Sequence, residues 1–204
     1  MSISIKDIYK AFGAKRVLSG ASLFVPDGAA ACLQGPNGCG KTTLLKIVST
    51  LALPDKGKVN SRSEELAYIA SGEGGFYQTL TLWDNLLFFG RMRGISDNQL
   101  KESIGSLAER FGITEWLKAP LSHCSSGIRR KAAVLRAALA KPMVYLIDEF
   151  SASLDETSRE IVCEFLRDEI KRGCACLVVS HDPLDGKRLN AAMYQLDDGV
   201  IKPA

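Results

Sequence analysis

The sequence predicts an α/β fold built on a mostly parallel sheet with helices on both faces. Two patterns carry that expectation. Apolar runs of strand length, at residues 29–33, 143–147 and 176–179, are separated by segments of helical spacing. A block from about Leu80 to Lys131 holds helical spacing with few β-branched residues, and it interrupts the alternation. At 204 residues the chain is long enough for one sizeable core.

Taken in order, residues 3–8 alternate apolar and polar side chains, 22–25 are short and apolar, and 29–33 run into a Gly/Pro/Asn/Gly loop. These early strands predict an antiparallel part ahead of the main sheet. A helix is expected over 41–51, a turn at Pro54-Asp55-Lys56-Gly57 and a short strand over 66–70. Helices follow over 82–93, 97–111 and 126–139. Strand 143–147, helix 156–171 and strand 176–179 return to alternation, and two short strands flank Asp198-Gly199. One domain is expected over 1–204, with 1–79 and 132–204 as its core and 80–131 as an inserted helical subdomain.

Composition narrows the function. Hydrophobic residues make 46% and charged residues 24% of the chain, which suits a globular protein and excludes a disordered or collagen-like one. A net charge of +3 is too small to argue for a nucleic-acid partner, and none is expected. Cysteines 32, 39, 124, 163, 174 and 176 show no zinc-binding spacing, and they read as small buried hydrophobes in a reducing compartment. The first residues lack a basic segment followed by an apolar one. No apolar run approaches the roughly 20 residues that span a bilayer. The expectation is a cytoplasmic protein that meets a membrane only through a partner.

The sharpest motif is Gly35-Pro36-Asn37-Gly38-Cys39-Gly40-Lys41-Thr42-Thr43, a G-x-x-x-x-G-K-[ST] loop between a buried strand and a helix. Gly35, Gly38 and Gly40 permit tight turning and close approach of backbone N–H groups to phosphate oxygens. The helix N-terminus adds a favourable field. Lys41 is placed to reach the β- and γ-phosphates and the Thr42 hydroxyl to bind Mg²⁺. Cys39 reads as a spacer, or as a point of sensitivity to thiol reagents. The loop narrows the fold to a P-loop NTPase (RecA-like). A second pair, Asp148-Glu149, ends a buried parallel strand at the rim where such sheets bind ligands. Asp148 is expected to hold Mg²⁺ through its water shell and Glu149 to orient the attacking water.

Further motifs in order resemble the nucleotide-binding subunits of ABC transporters. Ser125-Ser126-Gly127-Ile128-Arg129-Arg130 looks like the family signature, Ser153-Leu154-Asp155 like its D-loop, and Val179-Ser180-His181-Asp182 like the switch-histidine motif. Phe12 matches the aromatic that stacks on adenine, and residues 80–86 resemble the start of the helical subdomain. The resemblance covers essentially the whole chain. It implies a head-to-tail dimer with ATP held between the phosphate loop of one copy and Ser125 and Gly127 of the other. The second ATPase would be another copy or a paralogue. His181 would hydrogen-bond the γ-phosphate and Glu149, and Asp155 would cross the interface.

Three departures stand out. The signature places hold Cys124, Ser125, Ser126, Gly127 and Ile128, so an aliphatic chain replaces the usual glutamine. The Q-loop glutamine is absent from the segment 71–77, where Glu73 is a candidate oxygen ligand for Mg²⁺ and a flexible hinge is the alternative. Phe150 replaces the proline usual after the glutamate. The dense apolar block Leu82, Trp83, Leu86, Leu87, Phe88 and Phe89 is expected to be mostly core, with a rim beside the groove that in this family receives a helix of an integral-membrane subunit. His123 reads as a surface residue. The implied activity is ATP hydrolysis that drives a membrane transporter, on the pattern of compact exporter ATPases of the haem-exporter type. The alternative is an ABC-type ATPase driving a soluble assembly machine. A kinase or GTPase is disfavoured, since no Asn-Lys-x-Asp guanine motif is present.

Overall fold

In the computed structural model the described residues are 3–61, 65–72, 75–149, 151 and 153–204. Among them, β1 (Ile3–Phe12) pairs antiparallel with β2 (Lys15–Val25) and with β4 (Lys56–Asn60), which makes a three-stranded antiparallel sheet. The second sheet uses β3 (Ala30–Gln34), β5 (Leu66–Ile69), β6 (Val144–Ile147), β7 (Ala175–Val179), β8 (Ala192–Asp197) and β9 (Val200–Pro203). Their order is β5-β6-β7-β3-β8-β9, parallel throughout except for the antiparallel edge strand β9.

Six α-helices lie among the described residues: α1 (Lys41–Val48), α2 (Leu82–Met92), α3 (Asp97–Arg110), α4 (Ser126–Leu139), α5 (Glu156–Lys171) and α6 (Pro183–Arg188), with short 3-10 turns at Thr114–Trp116 and Leu121–His123. Strand alternation divides the interior. Ala31, Leu33, Val144, Leu146, Leu177 and Val179 face α1 and the antiparallel sheet. Cys32, Tyr145, Ile147, Cys176 and Val178 face the other way, into one cluster shared with α2, α3, α4 and α5. Gly90 lets α2 approach α3, because a Cβ there would come within 2.2 Å of Leu100 Cδ2. Of the apolar block, Leu82, Leu86 and Leu87 are buried, Trp83 and Phe89 half-buried, and Phe88 exposed. No helix among the described residues is long and apolar enough to cross a membrane.

Three local expectations are corrected. Lys56 and Gly57, read as a turn, begin β4: its exposed side chains hide the strand, and long-range pairing with β1 makes it. Gly57 has a φ of 97° and packs against the backbone of Asp7. Helix α1 ends at Val48 rather than at 51, because Ser49 caps it and Thr50 turns left-handed at φ 63°. Helix α6 was not expected, although Asp182 caps it and Pro183 opens it.

Candidate phosphate-binding site

Strands β6, β7 and β3 lie side by side and run parallel, so the segments after their C-terminal ends meet at one rim. After β3 comes the glycine loop, after β6 Asp148-Glu149, and after β7 Ser180-His181. They line a cavity of about 310 Å³ with Phe12, Lys15, Val17, Asn37, Gly38, Gly40, Lys41, Thr42, Thr43, Asp148, Glu149, Val179 and His181 on its walls.

The loop is built to leave donors free. Gly40 caps α1 in the left-handed region at φ 112°, and no side chain bonds the first turn. Among the described residues no side chain accepts from the first N–H groups of α1, which is the condition for holding an anion. Crowding enforces glycine. A Cβ on Gly40 would come within 2.7 Å of Val17 Cγ1, and one on Gly35 within 2.4 Å of the Leu196 carbonyl oxygen. Gly38, at φ 77°, faces open space. The Lys41 ammonium donates to the carbonyls of Gly35 (2.7 Å) and Pro36 (2.9 Å), so the lysine braces its own loop. Cys39 is half-buried with its sulfur 4.0 Å from Lys41 Nζ.

Asp148 is 1% exposed. Its Oδ2 accepts from the Thr42 hydroxyl at 2.8 Å, while its buried Oδ1 has no donor at hydrogen-bonding distance among the described residues. A buried carboxylate oxygen left unmatched costs about 1–3 kcal/mol or more. A hydroxyl beside an unmatched carboxylate oxygen is an oxygen donor set that fits Mg²⁺, which fills its remaining positions with water and phosphate. The described residues contain no group of three or more His, Cys, Asp and Glu that would cage a metal by themselves. Tyr68 stands beside this carboxylate. Burial and then the Asp148 charge push its hydroxyl up to about 12. Glu73, the other candidate ligand, lies outside the described residues, as does Phe150.

Glu149 is exposed at the cavity and held at φ 51°, an uncommon state for a residue with a Cβ. His181 is exposed on the same wall, on a loop fixed from behind. The Ser180 hydroxyl donates to buried Asp185 (2.5 Å) and accepts from the Asp182 N–H (3.0 Å), and Arg159 of α5 donates to Asp182 (2.8 Å). Phe12 ends β1 at the mouth, 57% exposed, with Lys10 Nζ 5.5 Å from its ring centre.

The signature residues lie elsewhere. Ser125, Gly127 and Asp155 do not line this cavity. Ser125 is exposed and caps α4, its hydroxyl accepting from the Ile128 N–H at 3.3 Å. Ile128 turns its side chain onto the core. Asp155 is exposed and caps α5 through Ser158 N–H (2.7 Å), a bond that holds its carboxyl below the usual range. His123 is exposed. Five of the cysteines are buried and all six are free. Arg130 carried no role in the sequence reading, yet its guanidinium is buried behind Asp148 and Glu149. The signal was positional: Arg130, Ala133 and Val134 share the buried face of α4.

An anion-binding loop after β3 and an acidic pair after β6, on a parallel sheet, define a P-loop NTPase. A family model described as ABC transporter matches residues 18–152. The Nod factor export ATP-binding protein I of Rhizobium sp. (strain N33) is 30% identical over 98% of this chain and 69% of its own length. The ABC transporter ATP-binding protein NatA of Bacillus subtilis (strain 168) is 29% identical over 88% and 78%. A solved structure described as an ATP binding subunit of an ABC transporter superposes with a TM-score of 0.91 at 24% identity, covering 99% of this chain and 88% of that one. The ATP-binding cassette MJ0796, solved as a dimer bound to ADP and Pi, gives 0.88 at 18% identity over 98% of both chains. The chain belongs to the ABC transporter family, and it is an ATPase of that family.

Proposed function

We propose that this chain binds and hydrolyses ATP to drive an integral-membrane transporter subunit, and that two ATPase domains close head to tail around the nucleotide. One observation carries the reading: the anion cavity is complete on the P-loop side, while Ser125, exposed, and Gly127, half-buried, stand away from it. A second domain presenting its α4 N-terminus would supply the missing wall.

In this reading the uncapped end of α1 and the Lys41 ammonium hold the β- and γ-phosphates, and Phe12 stacks on the base. Thr42 and Asp148 would hold Mg²⁺, which supplies neutralisation of charge developing on the phosphoryl oxygens. Glu149 orients the attacking water and takes its proton. His181 donates to the γ-phosphate. Across the interface, Ser125 and the N–H groups near Gly127 bind the same phosphate, and Asp155 meets the partner. The second domain is another copy or a paralogue.

Residues 1–79 and 132–204 act as the catalytic core and 80–131 as the helical subdomain that carries the motion. A groove of about 420 Å³ between α2, α4 and β5, lined in part by Tyr68, Phe89, Met92, Arg93 and Arg136, is where a short helix of the membrane subunit would dock. Met92 beside it is 70% exposed. The protein would thus sit in the cytoplasm at the inner face of the membrane, held there by its partner.

Glu149→Gln tests the core of the proposal. ATP turnover is expected to fall by a factor of about 10²–10⁴, the worth of a general base, and ATP is expected to convert the variant into a dimer by light scattering. A monomer at saturating ATP and Mg²⁺ would overturn the sandwich. Co-purification with a polytopic membrane protein tests the transport arm, and recovery with soluble proteins alone would favour an assembly machine.

A further inference from the structure

Arg130 sits one turn into α4, five residues beyond Ser125, and is 5% exposed. Among the described residues its guanidinium forms no ion pair with a carboxylate side chain. Nη1 donates to the Ala70 carbonyl at 2.7 Å, and Nη2 donates to the carbonyls of Asp148 (2.7 Å) and Glu149 (2.9 Å). These acceptors lie just past the ends of β5 and β6, where the parallel ladder stops and buried carbonyls need other donors. Burial holds this guanidinium below the ordinary arginine range, with the Asp148 and Glu149 charges working in the opposite direction. A cation so deep is costly unless its hydrogen bonds are made; Nη1 and Nη2 make theirs, while the buried Nε meets no acceptor among the described residues.

The Glu149 backbone is the part of the site that most needs holding. At φ 51° it occupies a conformation that is strained for a residue with a Cβ and persists only where surrounding contacts impose it. Its N-terminal neighbour is tied into the sheet, the Asp148 N–H donating to the Ile69 carbonyl at 2.8 Å. Arg130 supplies the restraint on the other side of the peptide, by gripping the two successive carbonyls that bracket the turn. A planar fork with two terminal nitrogens spans both strand ends, whereas a lysine ammonium is a single point that cannot.

We propose that Arg130 is the positioning residue of Glu149, fixing the glutamate's left-handed backbone and tying it to the helix that carries Ser125 and Gly127. The inference rests on Glu149 being the general base. Its consequence is regulatory. The helix whose N-terminus meets the nucleotide of the opposite site also sets the aim of the glutamate in its own site. Engagement of one nucleotide is thereby communicated to hydrolysis of the other.

A double-mutant cycle on the full chain decides the matter. Arg130→Lys is expected to lower kcat about 10- to 100-fold, the scale of a misplaced catalytic group, with the dissociation constant for ATP unchanged. In the Glu149→Gln background the same change is expected to leave the residual rate where it is and the ATP-trapped dimer intact, because the carboxylate it positions is gone. A further 10- to 100-fold loss in that background, or a loss of ATP affinity matching the loss of kcat, would overturn the proposal. An undiminished rate in Glu149→Gln alone would overturn the base assignment together with it, and that result is read before Arg130 is touched. If Arg130→Lys melts before assay, Arg130→Gln carries the same cycle. Failure of both to fold assigns the arginine to the scaffold and refutes the positioning role.

Discussion

The N-termini of α1 and α4 make an instructive pair. Both are entered from a loop rich in small residues, and both offer free N–H groups and the positive end of a helix. Their surroundings differ. Helix α1 starts from a left-handed glycine with no side-chain cap, deep in a cavity walled by Asp148, Glu149 and His181. Helix α4 starts from Ser125, which caps its own first turn on exposed surface. A helix end without a cap is waiting for an acceptor, whereas a capped one is stable alone. On the proposed function, the comparison teaches that this chain carries one finished anion site and one finished donor surface that do not meet within it.

The largest expected effect comes from separating the two ends. Lys41→Ala removes the ammonium at α1, and Ser125→Asp adds a negative charge at α4 while keeping a side chain that caps as well as serine. Each variant alone is expected to lose ATPase activity by about 100-fold, the worth of one electrostatic stabiliser. Mixed together, they form pairs in which one site has the intact lysine from one chain and the intact serine from the other. Recovery of activity to a substantial fraction of that of the unmodified chain is the expected result. A mixture no more active than its components would break the comparison, since both ends would then serve within a single chain.

A smaller effect belongs to α1 alone. The Lys41→Ala variant is expected to bind ATP roughly 10- to 100-fold more weakly, from about 1.5–3 kcal/mol for hydrogen bonds made by a charged donor. Titration calorimetry on the isolated protein measures it. Ser125→Asp is expected to leave that affinity within about threefold, because its surface takes part only when a second domain arrives. An equal loss in both would remove the distinction between the finished site and the donor surface.

Much of this was legible in the sequence, for identifiable reasons. The bounds of α4 and α5 follow from local signals, namely Ser125 and Asp155 as caps ahead of periodic apolar residues. The glycine loop and Asp148-Glu149 were readable because their chemistry needs particular residue types at fixed spacing. Strand β4 was hidden because it borrows its conformation from a distant partner. Asp55, read as part of a turn, in fact binds the Ala11 N–H (2.7 Å) and Lys10 Nζ (2.8 Å) and so fastens the sheet corner. Arg130 was hidden for a related reason, since its acceptors are backbone carbonyls at positions 70, 148 and 149 that only the fold brings together.

The cysteines sharpen the contrast at the smallest scale. Cys39, in the loop before α1, is half-buried, while Cys124, beside Ser125, is buried with the other four. Burial pushes Cys32 and Cys163 from near 9 up to about 12, so at neutral pH they remain neutral and slow toward alkylating reagents. Maleimide is therefore expected to label one thiol per native chain, at Cys39, with ATP slowing the reaction. Two or more labels, or a rate indifferent to ATP, would show that the loop is not the accessible nucleotide wall. The same raised values set a pH dependence. A thiol raised in the folded state keeps its proton there while the unfolded chain loses it, so the unfolded form gains as pH climbs past about 9 and goes on gaining up to about 12. Melting temperature should accordingly fall over that interval, and replacing Cys163 with alanine should make the alkaline fall shallower, even as the cavity it leaves lowers stability at neutral pH.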